Sequence, residues 1–174
     1  MRHPYSRLVS AFLQKRKRLQ DGVATYRRVP GMTNPSVSAG FVEFVDFLAT
    51  GGLEENGHWA PQLSLLALSP ERFDYLIHLE NFSAHFVAMA QDLGFEPGDH
   101  LYDGPHHAEG RVKTTDAATQ LISLLTSDVK AQVDMLYRRD FIAFGYEEGF
   151  NLLPWKPFTT PNPAASPAAR DQPV

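Results

Sequence analysis

"MRHPYSRLVSAFLQKRKRL" (residues 1–19) decides how the rest of the chain is read. Met1 to His3 have the look of a strand's tail, and Pro4 stands where a first helical residue would stand. Proline suits that position because its missing N–H would have no intrahelical partner there. Leu8, Phe12 and Leu19, with Val9 and Leu13, then keep helical spacing, so the stretch predicts a helix from Pro4 to about Gln20. A strand that feeds straight into a helix delivers its last side chains to a helix N-terminus, where free N–H groups and the helix dipole favour an anion. Arg2 stands at that junction, with Ser10 two turns beyond it.

Charge agrees with an anion at this end. Residues 1–30 carry eight basic side chains against one acid, Asp21, while the remaining residues carry eight basic and nineteen acidic ones, for a net charge of −4. A basic end on an acidic body points to an anionic partner, although a run such as "KRKR" (15–18) also reads as a solvated helix face. The 174 residues are one domain's worth, with ordinary globular proportions of 43% hydrophobic and 21% charged residues. The absence of cysteine excludes disulfides, thiolate metal sites and a catalytic thiol, and fits a reducing, cytoplasmic compartment. No apolar stretch has the length of a membrane span, and the N-terminus lacks the apolar core of a signal peptide.

Further along, residues 21–37 read as an irregular loop, punctuated by Gly22, Pro30, Gly31 and Pro35. Ser38 is the expected cap of a helix over "AGFVEFVDFLAT", with Phe41, Val42, Val45 and Leu48 as its buried stripe, Phe44 and Phe47 broadening it, and Gly51 as its stop. Phe73–Leu79 is rich in β-formers and predicts a short buried strand. Ser83 is expected to cap the next helix and Gly94 to stop it. Residues 95–113 form a polar loop, followed by helices over about 115–125 and 127–144, the second capped by Ser127. Residues 159–174, rich in Pro and Ala, are expected to be a disordered tail to a domain of residues 1–158.

"RHPYSRLVSAF" (2–12) resembles R-x-P-x-x-R-L-x-S-x-[YF], the 3′-phosphate-binding element of sulfotransferases that use 3′-phosphoadenosine 5′-phosphosulfate. The likeness is to the carbohydrate sulfotransferases of the chondroitin 4-sulfotransferase and HNK-1 type, sulfotransferase family 2. Other blocks follow in the same order: "FVEFVDFL", "NGHWAPQLSLL", "FDYLIHLENFSAHFVAMAQDLG", "RVKTTDA" and "VDMLYRRDFIAFGY". Together they cover about residues 1–150. The resemblance implies an α/β, P-loop-NTPase-like fold with a small parallel sheet flanked by helices. It also implies transfer of a sulfuryl group from that nucleotide to a hydroxyl of a carbohydrate or similar acceptor, with no metal. Sparse aromatic residues near the basic runs and the acidic overall charge argue against a nucleic-acid partner, and with no span-length apolar stretch no membrane partner is expected of this chain.

In that family a strand and a phosphosulfate-binding loop precede the element found here at Met1, and no residue of this sequence matches them. The expectation is a C-terminal portion of a longer product that transfers sulfate poorly by itself; the alternative is a non-catalytic remnant that binds a nucleotide or polyanion. Arg2, Arg7 and Ser10 are the donor-site residues that the resemblance implies, and Arg111 with Lys113 form a basic loop able to close over the nucleotide or to stay solvated. His58 is the candidate general base, beside Trp59, whose ring could stack on a sugar; both could equally be packing residues that pin their loop. Glu80 reads as a base or as an anchor for the helix that follows it. His100, Asp103, His106 and His107 share a short window, but adjacent histidines in a loop rarely converge on one ion. Tyr137, Phe141 and Phe144 fall on one helix face and are assigned to the core. The acceptor pocket is expected from loops 21–37 and 95–113.

Overall fold

Pro4 opens α1 (Pro4–Gln20), and His3 caps it by accepting the Tyr5 N–H on Nδ1 at 3.4 Å. Its buried face is Tyr5, Leu8, Val9 and Phe12, the spacing read from the sequence, whereas Leu13 and Leu19 are only partly buried. This computed structural model describes residues 1–95 and 117–146. Beyond α1 these hold α2 (Val37–Ala49), α3 (Phe82–Asp92), α4 (Ala117–Leu124) and α5 (Ser127–Ala143), joined by loops with short 3-10 turns. The expected tail 159–174, the loop after Phe95 and the end of the expected domain at 158 lie outside the described residues.

Helix α2 begins two residues earlier than expected. Ser36, not Ser38, is its cap, its Oγ accepting the Ala39 N–H at 3.2 Å, the reach of a cap to the third helical residue. Phe41, Phe44, Val45 and Leu48 are fully buried, while Val42 is 41% exposed and does not belong to the stripe. Phe12 of α1 stacks on Phe44 at 5.3 Å and meets Phe41 edge-on at 5.1 Å. Each buried phenylalanine contributes about 2 kcal/mol. Gly51, at φ +122°, ends the helix in a conformation that side chains with a Cβ avoid.

Helices α4 and α5 close the core with Leu121, Leu124, Val129, Val133, Tyr137 and Phe141. Phe144 is buried as well, so the face 137–141–144 is core as its spacing required. Neither expected serine caps its helix. Asn81 precedes α3 and Thr126 precedes α5, and neither side chain makes a capping bond.

No strand is present among the described residues, yet the pairing at the N-terminus is strand-like. The Met1 nitrogen donates to Ile77 O, and the Leu79 N–H donates to Met1 O at 2.7 Å. Those two bonds, one from each neighbour of His78, are the pattern of a parallel pair. His78, itself extended (φ −87°, ψ 131°), therefore lies beside Met1, one step of the pairing that a parallel sheet would propagate.

Candidate functional site

A cleft of about 520 Å³ lies along the flank of α1, lined by Arg2, Arg7, Ser10, Gln14, His58 and Gln62 among others. Four residues expected from the sequence, Arg2, Arg7, Ser10 and His58, are thus brought together from two segments some fifty residues apart. Helical spacing explains the α1 contribution, because residues 7, 10, 11 and 14 share one face. A strand running into a helix predicts an anion at the free N–H groups of the helix end. One of these, on Tyr5, is taken by His3, and it is side chains of the flank that face the cleft.

Arg2 is held by its backbone: its N–H donates to Gln62 Oε1 at 2.9 Å, and its carbonyl accepts from Gln62 Nε2 at 2.7 Å. Among the described residues its guanidinium makes no hydrogen bond. Burial pulls its pKa down, with Glu80 and Tyr146 pushing it back up, and a guanidinium is charged at neutral pH. Arg7 is used differently. Its two terminal nitrogens donate to the carbonyls of Ala60 and Gly57, both at 2.6 Å, and so clamp the 57–60 loop to α1.

His58 projects from that loop and is exposed. Its N–H donates to Asn56 Oδ1 at 2.9 Å, and the Trp59 and Ala60 N–H groups both reach Asn56 O, so one asparagine shapes the turn. Partial burial first, then the positive charges of Lys15, Arg18 and Arg7, lower the His58 pKa below its ordinary 6.5. That shift favours the neutral imidazole, whose lone pair can accept a proton. Trp59 is a packing residue: it is 2% exposed, sits edge-on to Phe44 at 5.4 Å, and donates from Nε1 to Gly52 O at 2.9 Å. Its ring is not available to stack on a sugar.

The loop is also gripped from α5. Tyr137 donates its hydroxyl to Trp59 O at 2.5 Å. The buried Asp140 carboxylate accepts from the N–H of Gln62 at 2.7 Å and of Leu63 at 2.9 Å. Helix α5 leaves regular geometry at Tyr137 (φ −109°, ψ 15°), where it meets this loop. Glu80 is an anchor, though not for the helix after it: Oε1 accepts the His3 N–H at 2.7 Å and Oε2 the Tyr146 hydroxyl at 3.2 Å.

Sequence reasoning did not single out Gln62 or Asp140 as site residues. Gln62 is visible only as a member of the "NGHWAPQLSLL" block, four residues after His58. Arg111, Lys113 and the window His100–His107 lie outside the described residues. No group of three or more His, Cys, Asp or Glu among the described residues could hold a metal ion, and no described helix is long and apolar enough to cross a membrane.

The family model described as "Sulfotransferase family" matches residues 1–147, which span the cleft, its loop and α5. Comparison with curated proteins and with solved structures found no match.

Proposed function

Because the chain belongs to the sulfotransferase family, we propose that it moves a sulfuryl group from 3′-phosphoadenosine 5′-phosphosulfate to a hydroxyl of a carbohydrate or similar acceptor, with the cleft on α1 as its donor site. The observation that carries this reading is the convergence of Arg2, Ser10 and His58 on one cleft of about 520 Å³, a size usual for a small-molecule site. The donor set fits a phosphate. Arg2 presents a charged guanidinium not engaged elsewhere among the described residues, and a guanidinium grips phosphate oxygens bidentately. Ser10 adds a hydroxyl on the same wall.

When bound, the nucleotide supplies the activated sulfuryl group; the chain's residues bind, orient and move a proton. Arg2 and Ser10 hold the 3′-phosphate. Arg7 serves by fixing the loop that carries His58 and by lending its charge to the cleft. His58 takes the proton of the acceptor hydroxyl. The pairing at Met1 and Ile77–Leu79 supports an α/β, P-loop-NTPase-like arrangement in which Met1–His3 ends one strand of a small parallel sheet.

Calorimetry on the full chain tests the donor assignment. Adenosine 3′,5′-bisphosphate should bind more tightly than adenosine 5′-monophosphate, and Arg2→Ala should erase the preference, a loss of about 1.5–3 kcal/mol for a charge-assisted pair. Equal affinity of the unaltered chain for the two nucleotides would sink the reading. Labelled-sulfate transfer to a panel of glycans tests the chemistry, with His58→Ala expected to abolish transfer while nucleotide binding persists. Transfer that persists in His58→Ala would take the base role from His58.

A further inference from the structure

Backbone groups of successive residues in an extended segment point to opposite sides. Met1 uses its nitrogen and carbonyl toward Ile77 and Leu79, and the His3 N–H turns the same way to Glu80. Arg2 between them faces the other side, where no strand lies among the described residues. What lies there is the side-chain amide of Gln62, which accepts the Arg2 N–H at 2.9 Å and donates to the Arg2 carbonyl at 2.7 Å. That is the pair of bonds that a neighbouring strand would make.

We propose that Gln62 is a positioning residue of the donor site, a side chain that substitutes for a strand neighbour and thereby aims Arg2 into the cleft. The inference rests on the donor-site reading. With both the N–H and the carbonyl of Arg2 fixed, its Cα–Cβ bond leaves along the normal to the pairing plane, and the guanidinium starts from a set direction. Gln62 is itself fixed. It is 8% exposed, and its own N–H is bonded to Asp140, a carboxylate with no exposure. A path of hydrogen bonds thus runs from α5 through Asp140 and Gln62 to Arg2, joining residues 140, 62 and 2 far apart in sequence.

The chemistry of the residue is specific. Glutamate would keep the acceptor and lose the donor, asparagine is one methylene short, and methionine fills similar volume with neither group. A stabilising role alone would be indifferent to which nucleotide is bound; a role through Arg2 is not.

The test combines Gln62→Met with Arg2→Ala in a double-mutant cycle, read by calorimetry with adenosine 3′,5′-bisphosphate and adenosine 5′-monophosphate. Gln62→Met should weaken the bisphosphate about tenfold, the worth of one well-placed hydrogen-bonding group, and leave the monophosphate within about twofold. In the Arg2→Ala background it should change neither. Equal losses for both nucleotides, or the same loss without Arg2, would overturn the proposal and leave Gln62 a structural residue. Should Gln62→Met fail to fold, amide exchange of the unaltered chain decides: a protected Arg2 N–H is expected, and one that exchanges at the free-chain rate overturns the contact. If Arg2→Ala itself leaves the nucleotide preference intact, the donor-site reading fails and the role of Gln62 in it falls too, an outcome told apart by an Arg2 N–H that is still protected.

Discussion

At the N-terminal end of α1, Arg2 faces the cleft and Arg7 spends both terminal nitrogens on the carbonyls of Gly57 and Ala60. At its C-terminal end, Lys15 and Arg16 are buried, while Lys17 and Arg18 are exposed. Arg16 donates to Gly31 O at 2.7 Å and Asn34 O at 2.6 Å, and the Lys15 ammonium sits 4.7 Å from the Tyr26 ring centroid. The sequence presents one basic segment, and the fold sorts its charges four ways: toward a cleft, onto a loop that borders it, into the packing of another loop, and into water. Helical phase decides which residue faces which neighbour. Uncapped carbonyls then draw in the arginines, whose planar fork reaches two acceptors at once. "KRKR" was therefore neither a solvated face nor an anion patch as a whole. Two of its members hold the fold.

The largest expected effect comes from breaking Arg16, one of the two buried members of the second half. Arg16→Ala removes two charge-assisted bonds worth about 1.5 kcal/mol each, so stability should fall by about 3 kcal/mol and the melting midpoint by about 6–12 °C. The 29–34 loop that Arg16 holds packs tightly on α2: Gly31 has φ +78°, and a Cβ there would meet Gly40 O at 1.8 Å, so little relaxation is available. Affinity for adenosine 3′,5′-bisphosphate should remain within about twofold once the variant is measured well below its melting midpoint. A melt unchanged from the parent, with nucleotide affinity lost, would reverse the roles assigned to the two halves.

Acid should act on the other half. His3 caps α1, and His78 and His85 lie behind it, with the rings of His78 and His85 5.4 Å apart. All three imidazoles are held below their ordinary value of 6.5, by burial first in each case, with His85 adding to the effect on His78. The unfolded chain therefore binds more protons than the folded one below about pH 6.5, and stability, complete above that value, is lost as the pH falls through the window down to the depressed folded values. Amide exchange, expressed as protection factors between pH 7.5 and 5.5, should show residues 5–10 loosening before residues 15–20. Uniform loosening along α1, or stability that rises on acidification, would remove the distinction.

How much of this was legible varies with what each residue contacts. The bounds of α1 were legible because Pro4 and a clean 3.6-residue spacing both mark them. In α2 the expected stripe held at Phe41, Phe44, Val45 and Leu48 and failed only at Val42, one of two adjacent apolar residues of which helical phase buries one, while its start was missed because Ser36 and Ser38 are equally able to cap. The expected strand at Phe73–Leu79 is irregular chain that enters a 3-10 turn at Leu79 and is paired at one point with Met1, and pairing depends on neighbours that a single segment does not encode. Arg2, Arg7, Ser10 and His58 were visible through the resemblance of their blocks. The resemblance gave no hint that Arg7 serves a loop. Gln62 and Asp140 act on backbone groups, at separations of 60 and 78 residues, and a backbone partner leaves no mark on the sequence at the far end.

The smallest expected effect is also the sharpest check on the sorting by phase. Lys17 is adjacent to the buried Arg16, carries the same charge and is exposed in the last turn of α1. Its ammonium interacts favourably with the negative end of the helix dipole, worth about 0.3 kcal/mol at an exposed site, and alanine returns about as much through higher helix propensity. The two nearly cancel, so Lys17→Ala should change stability by less than about 0.5 kcal/mol, the range of ordinary surface substitutions, and shift the melting midpoint by no more than about 2 °C. Donor affinity should hold as well, since Lys17 does not line the cleft. A fall comparable to that of Arg16→Ala would mean that the two residues share one structural task and that charge density, not helical phase, organises this end of α1. A loss of nucleotide affinity with stability intact would extend the donor site to the C-terminal end of the helix.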